Sequence, residues 1–252
     1  MAFFSQGGHI FSQSGHVFHT NWSPSKLTGL VFWSNGDSKN ITEESNTVYE
    51  WKDMSGLMNN AFQIYSLYRP SLQSNIINGY SALYFENNHT VNVSLSLNYF
   101  TVFSVVKSYD EDIIYQFGNN PNTETGFYLK GTNIYSPNTI IVNSSGTSMK
   151  NHTNDWLTAG GTWKILTQSY NGTHDTNKLY INSNKINLST YSGYNGNPGS
   201  LSSTKTLYIG GNHNNTSGIR GYIAEYLVFN RELSNSERGT VLNYLNSKYQ
   251  IY

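Results

Sequence analysis

Ten runs rich in β-branched and aromatic residues recur along this 252-residue chain, at 30–33, 82–85, 101–106, 113–117, 126–129, 139–142, 163–167, 178–181, 206–209 and 222–229. Clusters of Asn, Gly, Ser and Pro separate them, which is the punctuation of turns between strands. So many strands without intervening helical patterns predict a two-sheet antiparallel sandwich or jelly roll, not a parallel α/β sheet. One helix interrupts the pattern near the end. Ser234-Asn235-Ser236-Glu237 reads as a capping box, Leu233 as a hydrophobic staple, and Val241, Leu242, Leu245 and Tyr249 as one apolar stripe. A helix over about 234–248 follows.

Composition narrows the function. Charged residues make up 12% of the chain, and Lys+Arg balance Asp+Glu at 15 each. There is thus no electrostatic footprint for nucleic acid or for an anionic membrane. Aromatics at 15% are enough for a core. Cysteine is absent, which removes disulfides, thiolate metal sites and a thiol nucleophile. The first residues carry neither a basic leader nor an unbroken apolar stretch, so no signal peptide is expected, and no run is long enough to span a bilayer. Asn is abundant and generates ten N-x-S/T triplets, from Asn21 to Asn215. Chance accounts for about seven of these at this Ser and Thr content, so they are read as loop composition rather than glycosylation signals.

The N-terminus repeats with a period of seven: FSQGGHI at 4–10, FSQSGHV at 11–17, then Phe18-His19. Recurrent Gly and the lack of flanking charges argue against a coiled coil. Short strands or a looped, extended arm fit better. Phe4, His9, Ile10, Phe11, His16, Val17 and Phe18 are the candidate assembly residues, because apolar groups this few cannot form a core alone. The expected division is an arm and linker at 1–26 and a sandwich domain at 27–252.

The order of motifs then matches a known pattern. GLVFW at 29–33, VYEWKDMSG at 48–56, Asn60-Ala61, RPSL at 69–72, Asn78-Gly79, ALYF at 82–85 and TVFSVVK at 101–107 resemble the opening and central strands of a laminin-G-like, concanavalin A-like jelly roll. GYIAEYLVFNRELS at 221–234, followed by YLNSKY at 244–249, resembles its close. The resemblance covers about 27–252. It implies an all-β jelly roll with one short C-terminal helix, carrying an N-terminal arm outside it. Within it, Trp51 should plug the core from a strand end, and Asp53 should accept turn N–H groups. The family often has an acidic residue two places after the first Trp. Asn35 stands there, so Asp37 and Asp53 are read as turn residues rather than ion ligands.

The superfamily includes β-glucanases with carboxylates at alternate strand positions, which aims them into one cleft. This chain has no such motif, and no G-x-S-x-G elbow, H-E-x-x-H helix or P-loop. The expectation is that it is not an enzyme. Asp110 and Asp112 form the nearest acidic cluster and are the candidate metal ligands, with calcium as the one cofactor to consider. Sugar recognition needs flat aromatic faces with Asn and backbone groups for the hydroxyls. The 191–199 loop offers these, so Tyr191, Tyr194 and Asn195 are the candidate ligand residues, joined by Asn212. Phage and giant-virus surface proteins often carry domains of this kind. The expected function is therefore a non-enzymatic structural or decoration protein at a virion surface, a homo-oligomer fixed to capsid or tail proteins by its arm and able to attach to host-cell glycans. The alternatives are a cellular carbohydrate-binding module, or a glycan hydrolase with a site of another form.

Overall fold

The computed structural model describes residues 4–6, 9–11, 17–19, 22–110, 112–119, 125–130, 139–142, 147–152 and 160–252. Among them, two large antiparallel sheets face each other. The first runs, in spatial order, through the strands Ser189–Asn195, Ser148–His152, Thr139–Val142, Gly126–Lys130, Ile113–Phe117, Ser203–Ile209, Val91–Leu97, Ala61–Phe62, Thr47–Trp51 and Ile41–Glu44. The second runs through Asn184–Ile186, Lys178–Ile181, Lys164–Tyr170, Phe100–Ser108, Gly221–Phe229, Tyr80–Phe85 and Ser71–Ile77, with Leu30–Asn35 also paired to Gly221–Phe229. The expected antiparallel jelly roll is what forms. All ten sequence runs lie in or overlap strands.

Alternation explains the layering. Along Val91–Leu97 the residues Val91, Val93, Leu95 and Leu97 are buried, while Ser94 and Ser96 are exposed. The inward set joins Phe32, Trp51, Phe85, Phe100, Tyr115, Phe117, Phe127 and Tyr226 in the core between the sheets. Trp51 is fully buried there and donates its indole N–H to the Asn35 carbonyl at 2.8 Å. Asp53 behaves as a turn acceptor: Trp33, Ser55 and Asn59 donate backbone N–H groups to it at 2.8–3.0 Å. Asp37 caps the short 3-10 turn Ser38–Asn40 through the N–H of Lys39. Among the described non-glycine residues at positive φ, Asn46, Asn75, Asn78, Asn87, Asn182 and Asn215 predominate. Part of the Asn surplus therefore serves tight turns, where Asn tolerates the left-handed region best.

The helix spans Asn235–Tyr249 and begins at the expected capping box. The Ser234 hydroxyl accepts from the Glu237 N–H, and Glu237 accepts from the Ser234 N–H at 2.9 Å. Its stripe of Val241, Leu242, Leu245 and Tyr249 packs with Phe103, Val105, Ile165, Ala224, Leu227 and Phe229, which makes a second core on the outer side of the second sheet. One β-bulge sets up that contact. Val105 pairs with Glu225 and Val106 with Ile223, so Ala224 is the extra residue. The bulge puts Ala224 and Glu225 on the same side and turns Glu225 toward the helix. There the fully buried carboxylate accepts from the Trp33 indole at 2.7 Å, Tyr244 at 2.8 Å, Tyr249 at 2.7 Å and the Lys248 ammonium at 2.7 Å. Burial, and then the Glu225 charge, hold the Tyr244 and Tyr249 hydroxyls well above the usual phenol range.

The N-terminal segment takes the short-strand form. Phe4–Gln6, His9–Phe11 and Val17–His19 make a separate three-stranded antiparallel sheet in which Phe4 stands opposite Phe11 and Ile10 opposite Phe18. His16 and the side chains of the other assembly candidates lie outside the described residues.

Two outcomes follow. Glu225→Ala strands the Lys248 charge against the core and should cost about 3–5 kcal/mol, a fall of roughly 6–20 °C in melting temperature for a domain this size. Calorimetry checks it, and a change below a degree or two would show the cluster to be dispensable. The second concerns Glu237, which binds Arg231 through both oxygens at 2.7 and 3.0 Å. First that contact, then the Ser234 N–H, lower the Glu237 carboxyl from 4.5 to about 2. A depressed carboxyl stabilises the fold above its unfolded value and loses that contribution as pH falls through the folded value. Urea unfolding should therefore separate wild type from Glu237→Gln at neutral pH, and the gap should close between pH 4.5 and 2.

Candidate functional site

The outward face of the first sheet carries a polar row. Register places Phe62 opposite Asn92, Asn92 opposite Tyr208, Tyr208 opposite Gln116, and Gln116 opposite Tyr128. One row thus crosses five strands. Beside it, Ser94 stands opposite Thr206 and Ser96 opposite Thr204, with the Ser96 and Thr204 hydroxyls bonded to each other. The same strands' inward positions are the apolar core, so the row's direction is fixed by the pleat.

The loop following Ser203–Ile209 folds back to wall this row. Gly211 bridges to Gly218 at its base. Asn212 closes it: its side-chain carbonyl accepts from the Thr216 N–H at 3.0 Å and the Ser217 N–H at 3.3 Å, and its amide donates to the Thr216 hydroxyl at 3.1 Å. Asn212 is therefore a loop organiser, while its neighbour His213 reaches the sheet. His213 Nδ1 lies 3.2 Å from Gln116 Nε2, and its ring meets Tyr208 edge to face at 6.3 Å. The Gln116 amide also donates to the carbonyls of Gly118 and Asn119, and the Tyr208 hydroxyl donates to the Asn119 side chain at 3.0 Å. The result is a wall of amide, imidazole and phenol groups in fixed positions. Such a surface can take a polyhydroxyl ligand, with Tyr rings against its C–H face and amides at its hydroxyls.

Of the sequence candidates, Tyr191, Tyr194 and Asn195 lie in the strand Ser189–Asn195, the far edge of this same sheet, rather than in a loop. The pairing slips between Met149 and Asn151 along the neighbouring strand, which accommodates extra residues of the Tyr191–Tyr194 stretch inside the strand. Their side chains lie outside the described residues. Gln116, Tyr128, Tyr208 and His213 were not singled out from the sequence. The register that aligns the first three is long-range, and only the fold of the 210–218 loop brings His213, next to the candidate Asn212, against the sheet.

Asp110 and Asp112 sit at the start of the Ile113–Phe117 strand, at a surface cavity of about 400 Å³ that Asn87, Lys130, Thr216 and Ser217 also line. Both carboxylates are engaged. Asp110 accepts from the Arg220 N–H at 3.1 Å and from the Ser108 hydroxyl at 3.1 Å. Asp112 accepts from its neighbour's N–H at 2.8 Å and from the Ser217 hydroxyl, with the Lys130 ammonium 3.9 Å away. Among the described residues, no three His, Asp or Glu side chains gather as a metal-binding group. Glu50, near the row's other end, accepts from Thr42 and Asn60 at 2.7 Å each. No helix among the described residues is long and apolar enough to cross a membrane.

With the geometry in place, comparison assigns the class. A laminin G family model of the concanavalin A-like lectin/glucanases superfamily matches residues 77–237, and the chain belongs to that superfamily. No curated protein sequence matches it. Domain 4 of AbnA, an extracellular arabinanase from Geobacillus stearothermophilus solved with arabinotriose, is similar in fold at TM-score 0.58 and 16% identity, covering 84% of this chain and 97% of that one. The binding domain of Paraclostridial Mosquitocidal Protein 1 (TM-score 0.54, 16% identity, 88% of this chain) and the receptor binding domain of botulinum neurotoxin D (0.52, 16%, 88%) are also similar. This chain spans 53% and 54% of those two.

The occupied carboxylates carry an expected outcome. Millimolar calcium should leave the melting temperature within a degree of the chelator-treated protein, because a cation must displace the Lys130 contact and the existing donors. A rise of several degrees that Asp112→Asn removes would instead assign calcium to this cavity.

Proposed function

We propose that this chain is a non-enzymatic glycan-binding domain that holds its ligand on the outer face of the first sheet. The observation that carries the reading is the neutral row of Asn92, Tyr208 and Tyr128, walled by His213, which the buried Gln116 amide braces from beneath. Hydrolysis of a glycosidic bond needs two carboxyls about 5–9.5 Å apart across the bond. Among the described residues, none of Phe62, Asn92, Tyr208, Gln116 and Tyr128 is an acid, and Glu50, Asp110 and Asp112 are each bound to their own donors. The arabinanase domain, solved with arabinotriose, supports a saccharide as the ligand class.

The finer part of the proposal is a virus or phage particle as the carrier. The seven-residue Phe-Ile/Val repeat at 4–18 lies outside the matched family region and suits anchoring to capsid or tail proteins. A cellular carbohydrate-binding module would use the same sheet face, and the arabinanase domain favours that second reading.

A single site of this kind binds weakly, near millimolar, since each stacked Tyr adds about 1 kcal/mol. Many copies on one particle raise the avidity by orders of magnitude. The test is a glycan array probed with multimerised protein. Wild type should bind one family of neutral glycans. Tyr208→Ala should weaken it about fivefold per site, and a Tyr208→Ala, His213→Ala variant should abolish array binding. Binding unaffected there but lost in Tyr191→Ala, Tyr194→Ala would move the site to the sheet edge. Release of reducing sugar from any bound glycan would overturn the non-enzymatic reading.

A further inference from the structure

We infer that the segment 57–68 is an interface between two copies of this chain, independent of the glycan reading. Six of the nine large hydrophobic side chains exposed among the described residues lie in this one stretch: Leu57, Met58, Phe62, Ile64, Tyr65 and Leu67. Ile64, Tyr65 and Leu67 are 63%, 62% and 71% exposed. Solvent exposure on this scale within a dozen residues is unusual for a monomer and marks an interaction surface.

The stretch is held in one shape from beneath. Gln63 is buried, and its amide donates to the Thr90 carbonyl and hydroxyl while its carbonyl accepts from the Tyr65 N–H. Arg69 is buried too. It donates to the carbonyls of Gln63 at 2.7 Å and Ile64 at 3.0 Å, pairs with Glu44 at 2.8 Å, and lies 4.9 Å from the Tyr49 ring centroid. A buried guanidinium is thus used to fix backbone whose apolar side chains face water. Such pre-organisation lowers the entropy cost of docking.

Two features identify the occupant as a second copy. Residues 57–68 (LMNNAFQIYSLY) contain no charge. In a two-fold interface the same patch meets itself, so any charge near the axis faces its like, and a neutral patch is what self-complementarity requires. The exposure is also large for one stretch, with Met58 at 85% and Leu67 at 71% exposed, and a standard interface draws on large side chains of this kind for its ~800 Å² per partner. The contact runs through side chains rather than strand pairing, because the nearby edge strand Ile41–Glu44 ends in the exposed acids Glu43 and Glu44.

Sedimentation velocity on the full chain tests this. Wild type should sediment at twice the chain mass at micromolar concentration. Ile64→Lys with Leu67→Lys should sediment at the single-chain mass and keep the wild-type far-ultraviolet circular dichroism, because Gln63 and Arg69 keep their bonds. An Ile64→Lys chain mixed with an Ile64→Glu chain should regain the dimer mass, as only a patch that meets itself allows. A monomeric wild type, or a double variant that stays dimeric, would overturn the inference. So would a monomeric wild type that co-floats with phosphatidylcholine vesicles, which would give the patch to a lipid surface.

Discussion

The Glu225 carboxylate decides which side of the molecule is covered. Four donors from two elements converge on it: the Trp33 indole from the strand Leu30–Asn35, and Tyr244, Tyr249 and Lys248 from the helix. A buried carboxylate is costly unless charge and lone pairs are all met. Here they are met by the helix in one position, so the carboxylate fixes where the helix lies on the sheet as well as holding it there. The apolar stripe alone would tolerate sliding by a turn. The helix therefore covers the outer side of the second sheet, and the polar outward row belongs to the first sheet, where Ser94, Ser96 and Thr204 meet solvent.

That asymmetry shapes the functional reading. A sheet face between rigid neighbours holds side chains at pleat spacing, with little ordering left for a ligand to impose. The row from Phe62 to Tyr128 joins the apolar segment 57–68 at one end, and the His213 loop walls it at Tyr208 and Gln116. A dimer built through the first would set two such rows in one particle, which adds avidity to weak sites without any new contact to the ligand.

The architecture was largely legible in the sequence. Strands at 101–106 and 222–229 declare themselves by β-branched and aromatic content, and the Ser234–Glu237 box marks the helix start to the residue, because both signals are local. The bulge at Ala224 is not local. Read with strict alternation from Ile223, Glu225 falls on the inter-sheet side, and its partners lie 19–24 residues further along or, for Trp33, 192 away. Gln116 was hidden in the same way: within IIYQF it reads as one polar residue in a buried run, and it is buried, but only the fold shows that its amide braces the Gly118–Asn119 turn and His213 beside Tyr208. The Tyr191–Asn195 segment was read as a loop for its Gly and Asn content, yet edge-strand pairing overrides that preference. Asn212, a ligand candidate from the sequence, spends its side-chain bonds on Thr216 and Ser217, partners that only the folded loop reveals.

The central claim is that a saccharide lies on the outer face of the first sheet. Amide and side-chain NMR of the ¹⁵N-labelled chain, titrated with an oligosaccharide that scores on the array, tests it most directly. The account predicts that the largest shift changes fall on the Gln116 side-chain amide, Asn92, Tyr208 and His213, and that the Lys248 and Tyr244 region of the helix stays still. Changes concentrated on the helix side, with the Gln116 amide unmoved at saturation, would contradict it.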